Sequence, residues 1–250
     1  MTMRRMAAAL GGLLFLAAGC ATDPLIQPDS VTVNQANNFY ARERFSQAIE
    51  VYRKAIDENP DSPYRRQALL GLADSLYKDG QFFEAVVYYE RFGELYPLDP
   101  LTPRALFYMG MCHYQDALDP DRDQTNTDKA IHHFKVFLEL YPSSKYSPFA
   151  KGFKEEMEAR RIESRLEVAQ FYFRLDKNVA AIRRIRDFLT LHPGAAQEAE
   201  AFFMLATCYY REEAFSKAAQ VYTILLERYP DSPWAKEAIP YAEKLRIKKG

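Results

Sequence analysis

The apolar positions of this chain follow a helical period that proline interrupts at intervals. Prolines stand after an aromatic or polar residue at Asn59-Pro60, Tyr96-Pro97, Tyr141-Pro142, His192-Pro193 and Tyr229-Pro230. Twelve residues upstream of each lies an alanine (Ala48, Ala85, Ala130, Ala181, Ala218). Eight upstream comes a large residue (Tyr52, Tyr89, Phe134, Ile185, Tyr222), and five upstream Ala55, Phe92, Phe137, Phe188 and Leu225. Offsets of four and seven share one face of an α-helix, so each proline closes a helix whose apolar stripe begins with a small residue. Proline lacks an N–H and has a fixed φ, and it stops the helix there. A second apolar run precedes the stripe, clearest at Leu69, Leu72, Ala73, Leu76 and at Phe202, Leu205, Ala206, Tyr209. The pattern predicts helical hairpins in which the alanine lets helix B approach helix A closely. Each hairpin alone leaves an apolar face wet, and stacking buries it.

The five alanines stand 37, 45, 51 and 37 residues apart. An insertion around Asp116 to Asp128 inside the third repeat accounts for the 45. The 51 reflects residues added after Pro142, where Ser147 to Leu175 reads as one long helix of about 40 Å that joins two halves of the array. From Ser232-Pro233-Trp234 onward a capping helix is expected, with Ser as its cap and Pro at the first helical position, and with a kink or break at Pro240. A small residue at position eight, alanine at twenty and proline at thirty-two resemble the tetratricopeptide repeat. The expected fold is all-α, a right-handed α-solenoid of about five tetratricopeptide-like helical hairpins plus a C-terminal capping helix.

The first twenty residues stand apart from this pattern. Arg4 and Arg5 precede a small and apolar run from Ala7 to Ala18 that is too short to span a bilayer and has the size of a secretory signal's apolar region. The run ends in Leu16-Ala17-Ala18-Gly19-Cys20, which resembles the bacterial lipoprotein signal, although Leu sits one place earlier than the usual pattern prefers. That resemblance implies a signal peptide over 1–19 and acylation of Cys20, the competing reading being an ordinary secretory signal. Ala21 stands where an Asp would resemble the inner-membrane retention signal, so the outer membrane is expected. Two or three acyl chains anchor firmly where one does not. Residues 20–30, with Pro24 and Pro28, read as a lipidated flexible tether, 31–142 as repeats one to three, and 143–250 as the connecting helix, repeats four and five and the cap.

Composition removes several functions. With 33 basic against 34 acidic side chains, the chain lacks the footprint of a nucleic-acid binder. Its cysteines and histidines have no zinc-site spacing, and the ten glycines form no phosphate loop. His132 and His133 are adjacent, so on a helix they point about 100° apart rather than forming a one-face pair. Cys112 and Cys208 fall at equivalent places in helix A of repeats three and five and read as buried packing residues. No acid–base set for catalysis assembles, and no cofactor or metal is expected.

Beyond the repeats, four stretches add specificity in their order: Asp121 to Thr125, Arg165 to Tyr172, Val179 to Arg184 and Glu237 to Glu243. With the lipid signal and the two irregular spacings, they resemble the BamD family of lipoproteins in the outer-membrane β-barrel assembly machine. The resemblance implies a scaffold on the periplasmic face of the outer membrane. Its N-terminal repeats would receive unfolded outer-membrane proteins. Its C-terminal repeats would dock the barrel-forming assembly protein through that partner's periplasmic domains, beside other assembly lipoproteins. Arg184 matches a family arginine on the docking face. The usual groove positions of tetratricopeptide arrays fall on Asn37, Tyr40, Asp74, Tyr77, Lys78, Phe107, Met111 and Tyr114, a mixture suited to a peptide bearing an aromatic residue. For Phe107 and Met111, packing against the neighbouring repeat is the alternative. A repeat lipoprotein supporting pilus or secretin assembly, or a cell-division coordinator, is the competing function.

Overall fold

The computed structural model describes residues 28–247. The signal, Cys20 and most of the tether lie outside these residues. Among the described residues there are eleven helices and no strand: α1 (Pro28–Ala41), α2 (Phe45–Glu58), α3 (Arg65–Lys78), α4 (Phe82–Leu95), α5 (Thr102–Gln115), α6 (Thr125–Leu140), α7 (Ser147–Arg174), α8 (Asn178–Leu191), α9 (Glu198–Arg211), α10 (Phe215–Arg228) and α11 (Pro233–Ile247). Helix α1 begins at Pro28, within the stretch 20–30 read as a tether, and the proline takes up the N-terminal position that suits its fixed φ.

The alanine ladder is the interior. Ala48, Ala85, Ala130, Ala181 and Ala218 are fully buried, and no residue on the two rungs below them is more than 6% exposed. The prolines act through the residue before them. Asn59, Tyr96, Tyr141, His192 and Tyr229 each end a helix with φ between −129° and −135° and ψ between 50° and 72°. A following proline ring forces that residue out of the helical region.

The turns inside the hairpins close differently. Glu43, Gly80, Asp176 and Glu213 are left-handed, with φ of 57°, 80°, 52° and 57°. The next N–H in each case returns to the carbonyl five residues back, as from Arg44 to Phe39 and from Gln81 to Leu76, both at 2.9 Å. These are Schellman closures. The third hairpin lacks one because residues 116–124 form a longer loop between α5 and α6.

Helix α7 is twice the length of α8 and far longer than α6, 28 residues or about 42 Å. Its first half runs back along α6, where Arg161 reaches Asp128 at 3.3 Å, and buries Ala150 and Met157 with Phe134 and Phe137. Its second half buries Leu166 and Ala169 with Ala181, Ile185 and Phe188. Helix α8 therefore returns only to the middle of α7, where Arg165 meets His192 at 3.2 Å. The last hairpins are set off from the first three by one helix length. Helix α11 continues through Pro240 without the expected break, because Ala235, Ala238 and Leu245 stay buried with Phe202, Phe203 and Tyr222 and outweigh one missing hydrogen bond.

Candidate functional site

Two surfaces gather candidate residues, one in the first repeats and one formed by α7 and α8. The first is a cleft of about 270 Å³ where α1 and α3 present their inner faces. Asn37 and Tyr40 from α1 and Arg66, Gln67, Gly71 and Asp74 from α3 line it, over a floor that includes Tyr52. The floor depends on Gly71: a Cβ there would stand 2.4 Å from the Tyr52 ring. Tyr52 donates its hydroxyl hydrogen to Asn37 Oδ1 at 2.5 Å and so fixes the amide at the rim.

Asp74 is the electrostatic centre of this region. It accepts from the Tyr89 hydroxyl at 2.7 Å and pairs with Arg104 at 2.9 Å, whose guanidinium lies 4.9 Å from the Tyr108 ring centre. Burial, with the Asp74 charge behind it, pushes the phenols of Tyr40, Tyr52 and Tyr89 above their ordinary values. Burial opposes the charge on Arg104, but Asp74 more than offsets it and holds the guanidinium ionised. At the mouth, Arg66 is tied to Asp99 from the next turn, and this pairing keeps the Asp99 carboxyl below its usual range.

The eight groove candidates divide. Asn37, Tyr40 and Asp74 come together in the cleft. Tyr77 is half-buried, edge-on to Phe82 and Tyr108 at 5.5 and 5.1 Å, and Lys78 is exposed at the end of α3. Phe107 and Met111 are 6% and 8% exposed and face the core. The first half of α7 covers them, with Tyr146 stacked on Phe107 at 4.9 Å, so their side chains are packing residues and not groove surface. Tyr114 donates to Glu156 of α7 at 2.9 Å. Sequence reasoning missed Gln67 and Arg66, whose place at the rim depends on the stagger between two repeats.

The second surface surrounds Arg184. This residue is exposed on α8 beside Arg183 and Arg186, on the ridge between hollows of about 590 and 240 Å³. Around it Val168, Phe171, Leu175, Val179 and Leu191 are 43–73% exposed. Arginine and aromatic residues such as Phe171 are enriched at protein interfaces, and Asp176, Lys177, Asp187 and Glu212 line the same hollows. The family resemblance singled out Arg184; the exposed apolar residues around it were not singled out, because α7 and α8 assemble them together.

Burial pushes the thiols of Cys112 and Cys208 up to about 12, so both stay protonated inside the core. His113 and His133 stack with ring centres 5.2 Å apart and planes 10° from parallel, and His113 Nδ1 lies 3.1 Å from Asn126 Oδ1. No helix among the described residues is long and apolar enough to cross a membrane.

A row of proline-closed helical hairpins stacked through an alanine ladder is a tetratricopeptide-repeat protein, and the profile of that repeat matches residues 200–232. More specifically, the chain belongs to the outer membrane lipoprotein family (YfiO), whose profile matches residues 27–213. Several relatives are named outer membrane protein assembly factor BamD. The Caulobacter vibrioides protein is 23% identical over 197 residues, covering 79% of this chain and 65% of the relative, just under two thirds of its length. A Xylella fastidiosa protein is 26% identical over 217 residues, with 83% and 74% covered. The Rickettsia prowazekii protein is 21% identical over 238 residues, with 94% and 95% covered. Among solved structures, a tetratricopeptide-repeat protein of Thermus thermophilus aligns over 88% of this chain and 99% of its own at 17% identity and a TM-score of 0.37. The TPR2AB domain of yeast Sti1, solved with pHSP90, aligns over 88% and 83% at 16% identity and a TM-score of 0.42.

Proposed function

We propose that this chain is a lipid-anchored periplasmic scaffold, not a catalyst, in the complex that assembles β-barrel proteins into the outer membrane. Its N-terminal repeats receive unfolded barrel proteins, and its C-terminal repeats dock the barrel-forming partner. The observation that carries this reading is membership of a family of outer membrane lipoproteins with relatives named as outer-membrane assembly factors. The geometry supports a division of labour. In the cleft between α1 and α3, Asn37 and Gln67 offer hydrogen bonds to an extended backbone, while Tyr40 offers ring surface to an aromatic side chain. On α8, the Arg184 ridge offers charge among exposed apolar residues.

Affinity purification of the acylated chain from native membranes tests the proposal, with the co-purifying proteins identified. Recovery of an outer-membrane barrel with periplasmic domains is expected. Arg184→Glu lowers that recovery about tenfold or more while the far-ultraviolet spectrum stays unchanged, since charge reversal at an interface costs more than 1.4 kcal/mol. Gln67→Trp fills the cleft and weakens binding of a peptide ending in Phe without affecting partner recovery. Undiminished recovery with Arg184→Glu removes the docking assignment, and equal peptide affinity with Gln67→Trp removes the groove assignment.

A further inference from the structure

The chain enters the fold at one particular edge of the solenoid, and that edge is apolar. In each of the first three repeats, helix B ends and the next helix A begins on the side where α1 also begins, because α1 and α2 are antiparallel. Arg66 in the first turn of α3 bonds Asp99 in the turn before α5, which ties neighbouring members of this edge together. Ser46 and Asp79 make the corresponding link, at 3.2 Å, on the opposite edge. The first edge exposes Val31 (53%), Leu95 (50%), Leu98 (97%), Leu101 (38%), Leu140 (59%) and Phe149 (61%). Leu95 and Leu140 occupy the same repeat position, the last residue before the tyrosine that precedes proline.

Part of the charge on this edge is paired, Asp99 with Arg66, Glu58 with Lys54 and Glu139 with Lys135, while Asp61 and Glu94 stay exposed beside the leucines. Lys145 lies over the Tyr146 ring with its ammonium 5.1 Å from the centre, an arrangement suited to the boundary between headgroup and acyl chain. Eight residue steps separate Cys20 from Pro28, so an acylated Cys20 holds the start of α1 within at most roughly 29 Å of the bilayer surface.

We infer that this edge of repeats one to three rests on the phospholipid surface, with Leu98 and Phe149 inserted among the headgroups, so that the lipid anchor and the leucine edge together orient the solenoid. The inference rests on acylation of Cys20, which belongs to the function proposed above. Solvent-exposed leucine and phenylalanine gain affinity for a bilayer in proportion to the apolar area they bury, and the anchor removes most of the cost of bringing them there.

The test uses the mature acylated chain reconstituted in phosphatidylethanolamine–phosphatidylglycerol vesicles. An environment-sensitive dye is attached through Leu98→Cys, or through Phe83→Cys on the opposite edge, which is 83% exposed and equally apolar. Cys112 and Cys208 are buried and stay unlabelled. Lipids carrying a shallow quencher reduce the Leu98 probe about twofold and leave the Phe83 probe nearly unchanged if the edge is seated. Flotation with the vesicles while the Leu98 probe stays water-like overturns the inference and leaves the anchor standing. Loss of flotation with an unmodified N-terminal peptide overturns the anchor and the inference together. A Leu98 probe shielded only after an assembly partner is added assigns the edge to protein and overturns the lipid contact.

Discussion

Glycine at two places in this chain has opposite meanings, decided by one neighbour. At Gly110, a Cβ would lie 2.6 Å from the Phe134 ring, which is itself fully buried. Gly110→Ala gains roughly 1 kcal/mol of helix propensity but must displace a packed ring, at about 1–3 kcal/mol. At Gly152, exposed on α7, nothing lies within 4 Å of the same position, and alanine gains the propensity alone. Urea denaturation is expected to show Gly110→Ala less stable than the parent and Gly152→Ala more stable by about 1 kcal/mol. Two shifts of the same sign contradict the packing argument. A small residue opposite helix B was readable from Ala73 and Ala206. Which glycine is required by a ring was not, because the ring comes from twenty-four residues further along.

Hairpins are the scale at which the sequence spoke most clearly, because the alanine ladder and the proline stop act within a dozen residues. What escaped it lies between helices. His113 on α5 and His133 on α6 stack only because the hairpin closes. Burial, His113, His132 and Lys129 push His133 down to about 4, while burial and Lys129 lower His113, and Asn126 and Asp116 work in the other direction. The unfolded imidazole, near 6.5, therefore binds more protons than the folded one as pH falls from there toward 4, and stability declines across that window. The ring is partly solvated, so the loss attributable to His133 is about 1–2 kcal/mol, well below what the full shift implies. His133→Gln is expected to flatten the pH dependence of the melting temperature between those limits. A variant that keeps the full slope moves the effect to other groups. Helix α11 shows the reverse relation: Pro240 predicts a break locally, and packing overrides it.

At the scale of the molecule, the organising element is α7, since both halves of the core rest on it. The sequence announced its length through the 51-residue spacing and the absence of proline after Pro148 in its first turn. Its consequence for the groove is the cover over Phe107 and Met111, which position counting placed in the groove with packing against the neighbouring repeat as the alternative. The first half of α7 packs on the third hairpin and its second half supplies part of the Arg184 surface, so the third and fourth hairpins are joined by one unbroken backbone. Glu163 sits exposed between the halves. Proline there costs roughly 3 kcal/mol of helix and removes no buried side chain, whereas Glu163→Ala leaves the helix intact. In a solenoid, stability is close to a sum of repeats and the interfaces between neighbours, so severing the interface inside α7 uncouples the two halves. Calorimetry is expected to show one cooperative transition for the parent and for Glu163→Ala, and two for Glu163→Pro. The lower transition should belong to the half that loses more of its core. A single transition in the proline variant, merely moved to lower temperature, means that contacts of α5 and the 116–124 loop with α7 carry the coupling without the helix. The separation of the third and fourth hairpins is then held by packing and not by the α7 backbone.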